Sequence, residues 1–111
     1  MSDASPTFPL GDLKKKVEIG HYAITRVASE GAGAMGMDEE DIKGCIQALT
    51  KADFYKTMPS EKVPNTHQDV YKTEWCAKPI YLKFSLSPHG GKAVVISFKR
   101  DQSQPPEEDE S

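Results

Sequence analysis

Apolar and polar positions divide the 111-residue chain into a helical half followed by a stranded half. Leu10, Leu13 and Val17 recur at helical spacing, and Gly20 can take the left-handed conformation that closes a helix. Together they predict a first helix over about 10–19. His21–Ile24 reads as a short extended link. Thr25 is suited to cap a second helix over about 26–35, although Gly31 and Gly33 inside it each cost roughly 1 kcal/mol relative to Ala. The third helix has the clearest pattern. Asp38 caps it, Glu39, Glu40 and Asp41 complement its positive end, and Ile42, Cys45, Ile46 and Leu49 form a core-facing stripe. On that stripe Cys45 is expected to be a buried small hydrophobe and not a reactive thiol.

After residue 50 the period shortens to two, and strands are predicted at 53–58, 68–75, 80–86 and 93–98. In the last pair, Ile80, Leu82, Phe84 and Leu86 alternate with Tyr81, Lys83 and Ser85, while Val94, Ile96 and Phe98 alternate with Val95, Ser97 and Lys99. If the two apolar sets share the buried face, Leu82 pairs with Phe98, Phe84 with Ile96 and Leu86 with Val94, around a loop at 88–92. The other face then sets Tyr81 opposite Lys99 and Lys83 opposite Ser97. Upstream, Phe54, Lys56 and Met58 share one face and Tyr55 and Thr57 the other. Alternation alone leaves open whether Lys56 and Gln68 join Tyr81 and Lys99. Helices first and antiparallel strands last predict an α+β domain, with the helices on one face of a curved sheet.

Charge adds a second division. The chain carries 14 Lys/Arg and 17 Asp/Glu, a net charge of −3. Residues 101–111 hold five acids and no base, and are expected to be a disordered acidic tail. Residues 1–8 are expected to be a flexible leader, which leaves 9–100 as the single folded domain. Residues 51–100 carry nine Lys/Arg against four acids, a local +5, whereas residues 1–50 sum to −3. A basic half within an acidic protein points to an anionic partner, with nucleic acid first in line. Two separated cysteines, three scattered histidines and the lack of a signal-like N-terminus give the expectation of a cytoplasmic protein without a metal site or cofactor. Gly31–Gly36 fits GxGxxG superficially, but it lies within the second helix and not after a strand, so it predicts no phosphate cradle.

Four motifs occur in order: Asp53-Phe54-Tyr55-Lys56, Gln68-Asp69-Val70-Tyr71, Tyr81-Leu82-Lys83 and Ile96-Ser97-Phe98-Lys99. With Arg26 and Gly36–Leu49 in the helical half, this set resembles the MqsR (motility quorum-sensing regulator) toxins over about residues 9–100. The resemblance implies a RelE/YoeB-like α+β fold and a metal-independent, ribosome-independent endoribonuclease. Such a toxin cuts mRNA at GC-containing sites such as GCU and is neutralised by an MqsA-like antitoxin. It also implies catalytic roles for Lys56, Gln68, Tyr81 and Lys99, and a role for Tyr55 in RNA recognition. Arg26, Lys83 and His67 are the further candidates for RNA contact. His67 stands where another member of the family has Trp, and the acidic tail is an addition to the family pattern.

The chemistry fits these residue types. RNA carries its own nucleophile, the 2′-OH, so what remains is charge stabilisation at phosphate, a proton for the leaving oxygen and a base for the 2′-OH. Lys56 and Lys99 suit the first task, Gln68 can orient the phosphate or the 2′-OH, and Tyr81 can hydrogen-bond phosphate or donate a proton. His67 is the residue type most often used as a general base, but strand alternation sets it on the face opposite Gln68. The competing reading is a non-catalytic RNA- or protein-binding module on the same fold.

Overall fold

Leu13 and Val17 turn one face of α1 (Leu10–Glu18) into the core, and Gly20, at φ 82°, reverses the chain after it. The extended link is in fact a strand, β1 (Tyr22–Ile24). α2 (Arg26–Ala34) follows, capped by the Thr25 hydroxyl, which accepts a hydrogen bond from the Ala28 N–H at 3.1 Å. α3 (Glu39–Ala48) opens on a reciprocal cap in which Asp38 and Asp41 each accept the other's backbone N–H at 3.1 Å. A short 3-10 turn at Lys51–Asp53 then leads into β2 (Phe54–Pro59), β3 (His67–Trp75), β4 (Lys78–Leu86) and β5 (Ala93–Arg100). In this computed structural model the described residues are 6–60, 66–86 and 91–102. Most of the expected 88–92 loop and most of the acidic tail lie outside them.

The strands form one open sheet in the order β1-β5-β4-β3-β2. The α+β class is as expected, but the sheet is mixed, because β1 comes from the helical half and pairs parallel with β5. Helical residues Leu13, Val17, Ile42, Cys45, Ile46 and Leu49 pack against Tyr71, Leu82, Phe84 and Phe98 on one sheet face. Each such buried side chain contributes roughly 2 kcal/mol of apolar transfer. Cys45 is 1% exposed, and burial pushes its thiol up to about 12, so it is a packed core group.

The β4–β5 register departs from simple alternation. Tyr81–Lys99, Leu82–Phe98 and Lys83–Ser97 pair as expected, but Phe84 then faces Val95 and Leu86 faces Ala93. The shift is a bulge at Ile96-Ser97, which turns Val95 and Ala93 into the core in place of Ile96 and Val94. Three successive apolar residues, Val94-Val95-Ile96, give either pairing a greasy inner face, so alternation could not choose between them.

The leader's end is fixed. The buried Asp69 carboxylate accepts the Thr7 and Phe8 N–H groups at 3.0 and 2.9 Å, and the Phe8 ring lies 6.1 Å from that of Phe84. Residues 1–5 lie outside the described set. Asp101, counted with the tail in the sequence, is built into the sheet end: it is 4% exposed and its N–H donates to the Pro79 carbonyl at 2.9 Å.

Candidate active site

The face of the sheet away from the helices is built from the residues that alternate with the core. On β3 these are Gln68, Val70 and Lys72, on β4 Tyr81, Lys83 and Ser85, and on β5 Ser97 and Lys99. Two rows of cross-strand neighbours result. One runs Lys56–Val70–Lys83–Ser97, and the other runs Lys72–Tyr81–Lys99. Val70 is fully buried yet stands apart from the main core, with Lys56 and Lys83 as its cross-strand neighbours.

Lys56 does join Tyr81 and Lys99, and so does Tyr55. Strict alternation would separate Tyr55 from Lys56. A register shift between Phe54 and Lys56 makes Tyr55 the extra residue of a bulge and turns its ring onto the open face. Tyr55 is 50% exposed, and two ammonium groups approach its ring, Lys72 Nζ at 3.9 Å and Lys56 Nζ at 5.6 Å from the centroid. Lys99 Nζ stands 5.1 Å from the centre of the Tyr81 ring. Both Lys56 and Lys99 are exposed, so their ammonium groups can meet a phosphate.

Tyr81 is partly buried, and its hydroxyl pKa is raised, first by burial, then by the neighbouring Tyr55 phenol and the Asp101 carboxylate. The phenol is thereby kept protonated, as a hydrogen-bond or proton donor requires. Tyr55, Lys56, Tyr81 and Lys99 form one cluster. Gln68 lies at the edge of this cluster, one alternate position, about 7 Å, along the strands from the Lys56–Val70 pair. It pairs with Met58 and lies four residues along β3 from Lys72, the partner of Tyr81, which places it roughly 13 Å from that row. Its amide makes a long 3.5 Å contact to the Ser60 hydroxyl, where the chain leaves β2.

Of the other candidates, Lys83 lies between the two groups, half-buried. His67 pairs with Pro59 and, one residue before Gln68, points to the opposite face, as alternation anticipated. Arg26 begins α2, is exposed and pairs with Glu30 at 3.2 Å. Sequence reasoning passed over Lys72, although it shares the parity of Gln68 and Val70 on β3. It is the group at which Tyr55, Tyr81 and Asp101 meet, with its ammonium 3.7 Å from the Asp101 carboxylate.

A family model described as motility quorum-sensing regulator, toxin of MqsA, matches residues 5–100. The chain belongs to the MqsR toxin family. Among curated proteins it is similar to the mRNA interferase toxin MqsR of Escherichia coli (strain K12). The two are 30% identical over 99 residues, covering 89% of this chain and 98% of the relative. The match to the MqsR family stops at Arg100, one residue before Asp101, although Asp101 is an integral part of the sheet end.

Proposed function

We propose that this chain is an mRNA-cleaving endoribonuclease, the toxin of a toxin–antitoxin pair that acts in the cytoplasm. One observation carries the reading: Lys56, Tyr81 and Lys99 share a single open sheet face with Tyr55 and Lys83. The family and the mRNA interferase relative point the same way.

The chemistry follows from what the face presents. The substrate's 2′-OH passes its proton to water as it attacks the adjacent phosphorus, the 5′-oxygen leaves and takes up a proton, and a 2′,3′-cyclic phosphate remains. Lys56 and Lys99 stabilise the extra negative charge on the phosphorane. Tyr81, held protonated, hydrogen-bonds a phosphoryl oxygen or gives its proton to the leaving 5′-oxygen. Lys83 holds the backbone between the two lysines. Gln68, one alternate position along the face from the Lys56–Val70 pair, orients the phosphate or the 2′-OH. Arg26 and His67 lie off this face or at its margin and contribute flanking contacts to RNA. No step in this scheme calls for a metal ion. Cleavage falls at GC-containing sites of the GCU type, and an MqsA-like antitoxin neutralises the activity.

The test is cleavage of a natural mRNA in EDTA, mapped by primer extension. Products should carry a 2′,3′-cyclic phosphate and a 5′-OH, and Lys56→Ala and Tyr81→Phe should each lower the rate by about 100-fold. Metal dependence, or unchanged rates in both variants, would overturn the reading. Binding without cutting would support the non-catalytic module instead.

A further inference from the structure

Lys72 differs from the other lysines on the open face in what surrounds it. Its side chain is only 22% exposed, and its ammonium lies 3.7 Å from the carboxylate of Asp101, whose side chain is 2% exposed. Beside the pair is a hollow of about 590 Å³ whose walls add Asp53, Thr73, Glu74 and Pro79. Beyond Lys72, toward the β3–β4 turn, the face therefore changes from basic to acidic. A phosphate is repelled there, and the Lys72 charge is already answered by Asp101. The other side of the same ammonium sits 3.9 Å above the Tyr55 ring, closer than Lys56 does. Tyr55 projects from a bulge, where ladder pairing does not fix its direction.

We propose that Lys72, held by Asp101, is a positioning residue that sets the plane of the Tyr55 ring and so the stacking surface offered to an RNA base. The proposal rests on the RNA-binding reading of this face. Lys72 occupies one side of the ring, so a base stacks on the other. The ion pair keeps the ammonium over the ring instead of letting it swing out to a phosphate. Asp101 thus acts on RNA binding through two intermediaries, without touching RNA itself. A direct phosphate contact by Lys72 and a ring-holding role make different demands. The first adds one ion to the salt dependence of binding, and the second acts only when Tyr55 is present.

The experiment combines ring order with a double-mutant cycle on the full chain. With 3-fluorotyrosine at position 55, the ring's ¹⁹F resonance should shift and broaden in Lys72→Met and stay near wild type in Lys72→Arg. This readout needs no RNA, so it stands even if the chain cuts none. With a single-stranded RNA carrying the mapped cleavage site, Lys72→Met should weaken binding about tenfold and Asp101→Asn about threefold. In a Tyr55→Ala background, Lys72→Met should change affinity less than twofold, and the slope of log affinity against log salt should match wild type. Thermal melts confirm that each variant is folded, with Asp101→Asn and Lys72→Arg as the milder changes. An unmoved ¹⁹F signal in Lys72→Met would overturn the proposal. So would an additive cycle, or a salt slope lower by about one, which is the mark of a direct phosphate contact. Loss of RNA binding and cleavage in the wild type would refute the nuclease reading instead, and the ¹⁹F result would still decide the role of Lys72.

Discussion

Gly31 in α2 lies directly against the backbone carbonyl of Phe98 in β5, so that a β-carbon at Gly31 would collide with that oxygen and stand 3.2 Å from the Lys99 β-carbon. β1 is only three residues long and pairs with Ala93–Val95, so α2 takes over the edge of β5 where β1 ends. Gly33, two residues on, meets nothing within 4 Å. Two glycines of equal helix propensity therefore have opposite expectations. Gly31→Ala should destabilise by about 1–3 kcal/mol through overpacking and displace Lys99, lowering cleavage even where the protein stays folded. Gly33→Ala should stabilise by up to about 1 kcal/mol with activity unchanged. Urea midpoints and cleavage rates on the same preparations check both.

The turn joining β3 to β4 consists of Cys76 and Ala77, at φ 53° and 64°. Two positive values in a two-residue hairpin loop are the type I′ pattern, which Asn-Gly fits and a side chain strains. Replacing Cys76-Ala77 by Asn-Gly should raise stability by about 1–2 kcal/mol and leave cleavage as it is. A fall in the denaturation midpoint would contradict this account of the turn.

Tyr71 is fully buried and its hydroxyl has no hydrogen-bond partner among the described residues. Tyr71→Phe removes that orphaned group and should stabilise the protein by about 1–2 kcal/mol at neutral pH. Burial, followed by the Asp69 and Asp53 charges, pushes the Tyr71 phenol up to about 12 from its ordinary 10. Below pH 10 the folded and unfolded chains both keep this proton. Between 10 and 12 only the unfolded chain releases it, so stability falls as pH rises through that window. Tyr71→Phe should flatten the fall measured by denaturant titration. The slope that remains belongs in part to Tyr22, also raised to about 12, by its hydrogen bond to the Glu39 carboxylate.

Asp69, in contrast to the Tyr71 hydroxyl, is buried with its partners in place. Its two oxygens take the Thr7 and Phe8 N–H groups. Asp69→Ala should cost about 2–3 kcal/mol, since it strands two donors and releases the ring packed on Phe84. Hydrogen exchange at Thr7 and Phe8 should rise more than in the strands, which separates local release from global loosening.

These residues also show where sequence reasoning reaches and where it stops. The stripe Ile42, Cys45, Ile46, Leu49 and the Asp38 cap made α3 legible, because helix period and capping are local properties. The pairing of Tyr81 with Lys99 was legible because one face of that hairpin is strictly apolar. The bulges were not. An extra residue at Tyr55 or Ile96 leaves the composition unchanged and reverses the facing of everything beyond it. β1 was hidden by its length, and its partner lies some seventy residues away in the chain. The Cys76-Ala77 turn carries none of the Gly or Asn that marks such turns. Lys72 was visible as a strand residue, but its importance comes from Asp101 and the bulged Tyr55 meeting it in space.

The contacts of Phe8 and Asp101 place the two ends of the described chain on opposite sides of the sheet. Phe8 packs against Phe84 on the helix-covered side, while Asp101 ends beside Lys72 on the open side. For anyone handling this protein, the two ends are not interchangeable as points of attachment. An affinity tag, fluorophore or surface linker joined after Asp101 starts at the border of the open face, beside Lys72, whereas one joined ahead of Thr7 starts behind the sheet. N-terminal fusions are therefore the ones expected to leave substrate access undisturbed.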